Sequence, residues 1–505
     1  MKKINYTTGI VAALLLFNSC SDWLDVNPRS EMKESVMFST EDGFKKALTG
    51  SYILLAQSDL YGKNTSMYVP ELLARHYTIP ATSSSDRVAT EINRLSNFDY
   101  THAEVEPVIS QVWLNYYKVI VQLNDILQHL ENSTVRFEHD NDALIRGEVL
   151  GLRAFLHLEV LRFFGPVPSE ADPAGLAIPY ITEKTKEPTK LISIPYSQVI
   201  KNIEDDLSAA EQILVQIDPI LFYSNNILNG ISFTTPAPQD TWQHYRQGRF
   251  NYFAVLGTKA RFYQWTGNKP QALVYAQKVI DAVNEDGSKK FALQIESDYN
   301  ASNAANLTMH KETLFSVHNP ELQRIVEPLY KNNNPSLTQT VAIMNTGYEN
   351  TIHPSDIRYK PGTGVSMTRY WEVRTYENSR QVHHFKKYTG NDQINPNNRV
   401  PLLRLAEMYL IMIENLSLGD AAPYFSEYRI ARGLAISAEE TSLTDDVARR
   451  ACLEREHRKE FYGEGQMFFF YKRHKYAAYT WPASFTLPSA DVYVLPKPQG
   501  QIMFE

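Results

Sequence analysis

Apolar residues recur at helical spacing along most of the chain. Ser39-Thr40-Glu41-Asp42 places a hydroxyl cap ahead of two acids that suit the positive end of a helix dipole. Behind it Phe44, Ala47, Leu48, Tyr52 and Leu55 line one face. A second helix is predicted through Val112-Trp113-Leu114-Asn115-Tyr116-Tyr117 to Ile126 and Leu127, with Trp113 on its packing side. A third spans about 142–164 and stops at Gly165-Pro166, a helix terminator; a fourth spans about 197–214. Between Phe250 and Val283, the residues Ala260, Tyr263, Ala272, Ala276 and Val279 are spaced as in one tetratricopeptide unit. Such a unit is two helices, broken here at Gly267-Asn268, whose small residues allow close approach. A further pair is predicted over 401–416 and 421–433, then a long helix from Asp445 to Phe461. The pattern predicts an all-α fold in which about four tetratricopeptide-like helix pairs form a scaffold. Long irregular stretches at 61–105, 165–195, 216–248 and 285–400 separate the helices, and loops of that length tend to be functional.

The N-terminus carries a different pattern. Lys2 and Lys3 precede an apolar run, Ile10 to Phe17, that is too short to span a bilayer. It ends at Phe17-Asn18-Ser19-Cys20, which resembles the lipobox read by lipoprotein signal peptidase. Residues 1–19 are expected to be a signal peptide, Cys20 the lipidated residue, and 20–505 the mature domain, in halves 20–230 and 231–505. Past residue 19 there is no run of eighteen apolar residues, so the mature chain is not expected to span a membrane. Cys452 is the other of two cysteines, so no disulfide is expected within the chain. Residues 1–19 hold two lysines and no acid, so their loss takes the net charge from −7 to −9; with no basic patch, nucleic acid is not an expected partner.

Catalytic signatures are missing. Gly62-Lys63-Asn64 lacks the hydroxyl residue and upstream glycine of a phosphate loop, and neither a nucleophile elbow nor a zincin helix occurs. His383-His384 are adjacent and point to opposite sides of a strand, without a spaced partner to complete a metal site. Glu456, His457, Glu460 and Glu464 share a helical face, where ion pairs with Arg455, Arg458 and Lys459 are expected. The expectation is a binding protein with no catalytic residue, metal or cofactor.

Cys20-Ser-Asp-Trp-Leu-Asp, Leu152-Arg153-Ala154, Leu402-Leu-Arg404-Leu-Ala406-Glu407 and Glu460-Phe461-Tyr-Gly-Glu464-Gly465, in that order, resemble motifs of the SusD/RagB family of Bacteroidetes outer-membrane lipoproteins. Cys20-Ser-Asp-Trp-Leu-Asp-Val-Asn-Pro28 resembles the family's start. Leu152-Arg153-Ala154 with Phe164-Gly165-Pro166-Val167-Pro168 resembles its Arg-Ala helix and exit. Leu402-Leu-Arg404-Leu-Ala406-Glu407 with Glu414, then Arg429-Ile-Ala-Arg432-Gly433, resembles its Leu-Arg-Leu-Ala-Glu helix and sequel. Glu456 to Gln466 with Lys472-Arg473, and Pro496-Lys-Pro498, resemble its closing signatures. His457 stands where an arginine is usual, and Met467 and Phe470 replace an arginine and an aspartate, which implies altered local ion pairing.

The resemblance implies a tetratricopeptide-like helical fold, a lipid anchor in the outer membrane, and capture of oligosaccharide at the cell surface. It also implies a SusC-like TonB-dependent transporter as partner, over which the protein acts as a lid. The alternative it leaves open is the same scaffold binding peptides. The family's binding residues follow no motif, so the candidates come from composition, as aromatic faces stack on sugar rings while polar side chains satisfy hydroxyls. They are Arg75, His76 and Tyr77 after the first helix, Trp242 and Tyr245 before the tetratricopeptide unit, and Tyr370 and Trp371 in the later insertion.

Overall fold

The structure is a computed structural model and describes all residues except 1–33, 186, 188–189, 231–236, 300–306, 331–336, 360–370, 376–380, 389–397, 435–442 and 504. Cys20 and Tyr370 therefore lie outside the described residues. Helix α1 runs Glu41–Leu55, its N-terminus closed by Thr40, whose hydroxyl accepts from the Gly43 amide at 3.2 Å. Helices α2 (Glu106–Glu131), α3 (Asn141–Phe164) and α4 (Tyr196–Ile217) follow. Trp113 is buried on α2, edge-on to Phe164.

α3 is the central helix, buried on nearly every side. Two of its glycines explain how tightly it is surrounded. A methyl group at Gly147 would stand 2.7 Å from Leu214 of α4, and one at Gly151 would stand 2.6 Å from the Phe250 ring. A helix sunk this far must have its polar groups paired. Arg153, of the Arg-Ala motif, forms two 2.7 Å bonds to Asp206 of α4 and a third, of 2.9 Å, to Asn124 of α2. Lys472 caps the far end, donating to the carbonyls of Arg162 at 2.8 Å and Gly165 at 2.7 Å.

The tetratricopeptide unit is helices α5 (Tyr252–Thr266) and α6 (Lys269–Ile280), joined through Gly267 in the left-handed conformation at φ +77°. Ala260, Ala272 and Ala276 are fully buried between them, and Tyr263 stacks on Tyr275. Helices α7 (Leu405–Asn415) and α8 (Leu418–Ala431) form a second such pair, followed by α9 (Asp446–Glu460) and α10 (Gln466–His474). The chain is mostly helical, and no helix among the described residues is long and apolar enough to cross a membrane.

Two of the expected boundaries are corrected. Residues 401–404 are not the start of a helix; they end strand β5 (Arg399–Arg404), which pairs antiparallel with β1 (Thr313–His318), and α7 follows at once. The stretch 285–400 also holds a three-stranded sheet of β2 (Gln339–Thr340), β4 (Gln381–Phe385) and β3 (Trp371–Thr375), in that spatial order.

The carboxylates of α9 are corrected as well. Their partners are not mainly the bases beside them. Glu460 accepts from Arg404, from Arg432 through two nitrogens and from Tyr428, each at 2.8 Å, and from Arg358 at 3.2 Å. Glu456 binds Arg358 at 2.8 Å, and Glu464 binds Arg404 at 2.8 Å and Lys387. Glu312 joins through Arg404 and Arg432, both at 2.9 Å. Of the expected bases Lys459 reaches Glu456 at 3.4 Å and also Glu349, Arg455 turns to Glu349, and Arg458 lies over Trp481. From Cys452 on the helix is mostly buried, so its acids are matched by cations brought from β5, from Arg432 just after α8 and from the preceding insertion. At the divergent position, the His457 ring packs 4.4 Å from Phe470 and its Nδ1 bonds the Leu453 carbonyl, a ring contact where the family pattern implies charges.

Buried neutral histidines set a pH dependence. Burial pushes His157 down to about 3, and His310, His383 and His457 down to about 4. The Nε2 of His157 accepts from the Ile181 amide at 3.0 Å, which only the neutral ring can do. In the unfolded chain these rings titrate near 6.5, so between about pH 6.5 and 4 the unfolded state binds more protons and stability falls with acidification. Scanning calorimetry is expected to show a thermal midpoint that drops steadily from about pH 7 to 4.5. A flat midpoint over that interval would contradict the neutral assignment.

Candidate functional site

A cavity of about 490 Å³ opens where α1, the segment before α5 and the β1–β5 ribbon meet. Its wall comprises Thr49, Tyr52 and Ile53 of α1, then Thr241, Trp242, His244, Tyr245, Gly248 and Arg249, and finally His318 and Arg399. The volume lies in the range of small-molecule sites, about 300–1,000 Å³.

The segment 240–251 is built as alternating anchors and wall residues. Asp240 accepts from the Trp242 amide at 2.9 Å while binding Lys45 of α1 at 2.6 Å and Asn141 of α3 at 2.9 Å. Burial works against its charge, yet these partners hold the carboxyl below its usual range. Gln243 points inward, donating to the His139 carbonyl and to Asn141, both at 2.9 Å. Arg246 is fully buried, bidentate to Asp218 at 2.8 and 2.9 Å and bonded to Glu148. Desolvation opposes that charge, but the two carboxylates hold the guanidinium protonated far above its ordinary value. Gln247 bonds the Thr313 carbonyl at 2.7 Å, and Asn251 caps α5. With these side chains fixed inside, Trp242, His244, Tyr245 and Arg249 are left facing the cavity.

Tyr245 is the open aromatic face. It is 50% exposed and adopts φ +55°, a left-handed conformation that a bulky residue rarely takes. The Arg246 anchor next to it and the bond from its amide to the Leu228 carbonyl at 2.8 Å hold it there. Strain kept in place by neighbouring contacts is a feature of ligand sites. Trp242 is half-buried, and its ring is covered by the Arg249 guanidinium at 4.0 Å. It therefore offers the cavity an edge and a stacked cation. On the opposite wall His318 and Arg399 are direct partners across the β1–β5 ribbon.

The other sequence candidates lie elsewhere. His76 and Tyr77 are not on a ligand-facing loop: His76 is buried, bonded to Glu71 at 2.7 Å and stacked on Tyr462, and the Tyr77 hydroxyl donates to the Met67 carbonyl. Arg75 lies 3.7 Å over the Phe485 ring and bonds the Ser96 carbonyl, which locks the loop. Trp371 is buried in the sheet, its Nε1 donating to the Arg358 carbonyl at 3.1 Å. The aromatic core between the insertion and α10 needed these rings. Conversely, Tyr52, His244, Arg249, His318 and Arg399 line the cavity without having been candidates. A dense aromatic and basic run, Trp242-Gln-His-Tyr-Arg-Gln-Gly-Arg249, was the available signal for part of it.

Among the described residues, one cluster has metal-like composition, Glu34, Asp125 and His129. The Lys184 ammonium sits between its carboxylates at 2.7 and 3.0 Å, and the His129 ring stacks on Phe38, so its charges are already matched.

The fold and cavity together define a helix-pair scaffold whose connecting segments wall an open cavity. A family profile for SusD-like proteins, described as starch-binding associating with outer membrane, matches residues 22–222. Two SusD-like proteins of Formosa agariphila are each 24% identical, over 219 and 170 residues, or 42% and 33% of this chain. The chain spans 38% and 30% of the lengths of these relatives. A SusD superfamily protein of Bacteroides thetaiotaomicron has the same fold, with TM-score 0.65 and 19% identity over 92% of this chain and 97% of its own. A SusD-like carbohydrate binding protein of Bacteroides vulgatus follows at TM-score 0.63 and 17% identity, over 92% and 96%. Residues 22–222 are thus similar to a SusD-like family profile, and the chain shares its fold with solved SusD superfamily structures.

Proposed function

We propose that the protein is a lipid-anchored receptor at the cell surface, cleaved after residue 19, that captures an oligosaccharide in the 490 Å³ cavity. It hands the sugar to a SusC-like TonB-dependent transporter in the outer membrane. The observation that carries this reading is the cavity itself: an open Tyr245 face held by buried anchors, ringed by hydrogen-bonding side chains. A tyrosine ring stacks on the C–H face of a pyranose, and Arg249, His244 and His318 suit its hydroxyls. The reading is one of binding without turnover.

Tyr245→Ala removes the stacking face and keeps Arg246, which fixes the segment. It is expected to weaken saccharide binding by at least about tenfold, the loss typical of an aromatic anchor, with the thermal midpoint unchanged. Calorimetric titration of wild type and variant against a panel of oligosaccharides and peptides checks this. Saturable binding of peptides alone would favour the other ligand class, and hydrolysis of any glycan would end the non-enzymatic reading.

A further inference from the structure

The cavity wall carries more positive charge than the described residues neutralise. Arg399 has no carboxylate within 4 Å among the described residues, and its Nη1 is buried without a hydrogen-bond partner. Its neighbours are Tyr245, His310 and His318. Burial and the Arg399 charge together push both histidines down, His310 to about 4. Arg249, the second cation, is only loosely served. The closest carboxylate oxygen, on Glu148, is 3.9 Å away, and Glu148 already binds Arg246 and the Tyr52 hydroxyl. Asp240 is likewise committed to Lys45 and Asn141. Among the described residues, no carboxylate lines the cavity. A guanidinium withdrawn from water costs free energy unless an anion pairs with it, and its planar fork fits the paired oxygens of a carboxylate or sulfate.

We propose that the saccharide taken at this cavity is acidic, with a carboxylate or sulfate ester seated against Arg399 while a ring stacks on Tyr245. The proposal rests on the saccharide reading above and narrows its substrate class. Arg249, fixed over Trp242, supplies a second cation to the same bound sugar.

The test is calorimetric titration of the purified full-length lipoprotein with length-matched neutral, uronate-containing and sulfated oligosaccharides, at low and high salt. At least one acidic series is expected to bind about tenfold or more tightly than the neutral one, with affinity that falls as salt rises. Which series does so identifies the anion. Arg399→Gln is expected to abolish that preference while leaving residual binding through Tyr245. Because no carboxylate among the described residues depends on Arg399, the variant should keep or raise the thermal midpoint; were it to unfold, the salt dependence of the wild type carries the test. Equal affinity for neutral and acidic sugars would overturn the proposal and leave saccharide capture standing. Failure of every saccharide to bind would overturn both.

Discussion

Replacing Glu460 by glutamine is expected to lower the stability of the protein by about 3–5 kcal/mol, the cost of breaking a buried ion pair from one side. Glu460 is 3% exposed and gathers three guanidiniums, from Arg358, Arg404 and Arg432. Desolvation alone would favour its neutral form, but these cations outweigh it and hold the carboxyl well below the usual range. Glutamine keeps the shape and one acceptor, yet leaves three buried cations short of one negative charge. Repulsion among them adds to the lost attraction, since the interior screens little. The matching control is Asp205→Asn, which breaks the exposed Lys201–Asp205 pair on α4 and should change stability by less than about 1 kcal/mol. Urea unfolding of the two variants beside wild type measures the difference. Equal effects from both would show that the network contributes nothing beyond a surface pair. The family-like motifs Arg404, Arg432 and Glu456 to Glu464 belong to this network, so they maintain the scaffold and leave ligand choice to other residues.

Cys20→Ser is the second large effect, and it concerns location. Each buried methylene of a lipid adds about 0.8 kcal/mol to membrane attachment, so several acyl chains on one cysteine hold a protein essentially permanently. Serine cannot take the thioether-linked lipid. The apolar run from Ile10 to Phe17 is too short to replace it, since a bilayer core needs about 20 apolar residues. Fractionation of cells expressing the variant is expected to move the protein from the membrane to the soluble fraction. Its melting curve and ligand affinity should match those of the wild type. Retention in the membrane fraction would contradict the lipid anchor.

The helices were legible because each carries its own periodicity and its own stops. Thr40, Gly165 and Gly267 act within a few residues of themselves, and each terminates or caps its helix where the spacing places it. Pairing between distant segments leaves no such trace. Arg399–Arg404 runs directly into α7, so its apolar residues read as helix until β1 is known to lie beside it. The acids of α9 read as partners of the neighbouring bases because their actual partners, Arg358, Arg404 and Arg432, stand elsewhere in the chain. The same holds for the cavity. Its wall comes from α1, the 241–249 segment and two strands, and composition could point only to Trp242 and Tyr245. His76, Tyr77 and Trp371 offer the same chemistry, but aromatic side chains also build cores, and only burial separates the two uses.

Calorimetric titration of oligosaccharides into wild type and Tyr245→Ala bears most directly on the cavity. Saturable binding by the wild type, weakened at least about tenfold in the variant at unchanged thermal midpoint, is the predicted result. Saccharide binding with the same affinity in both proteins, or none in either, would contradict it.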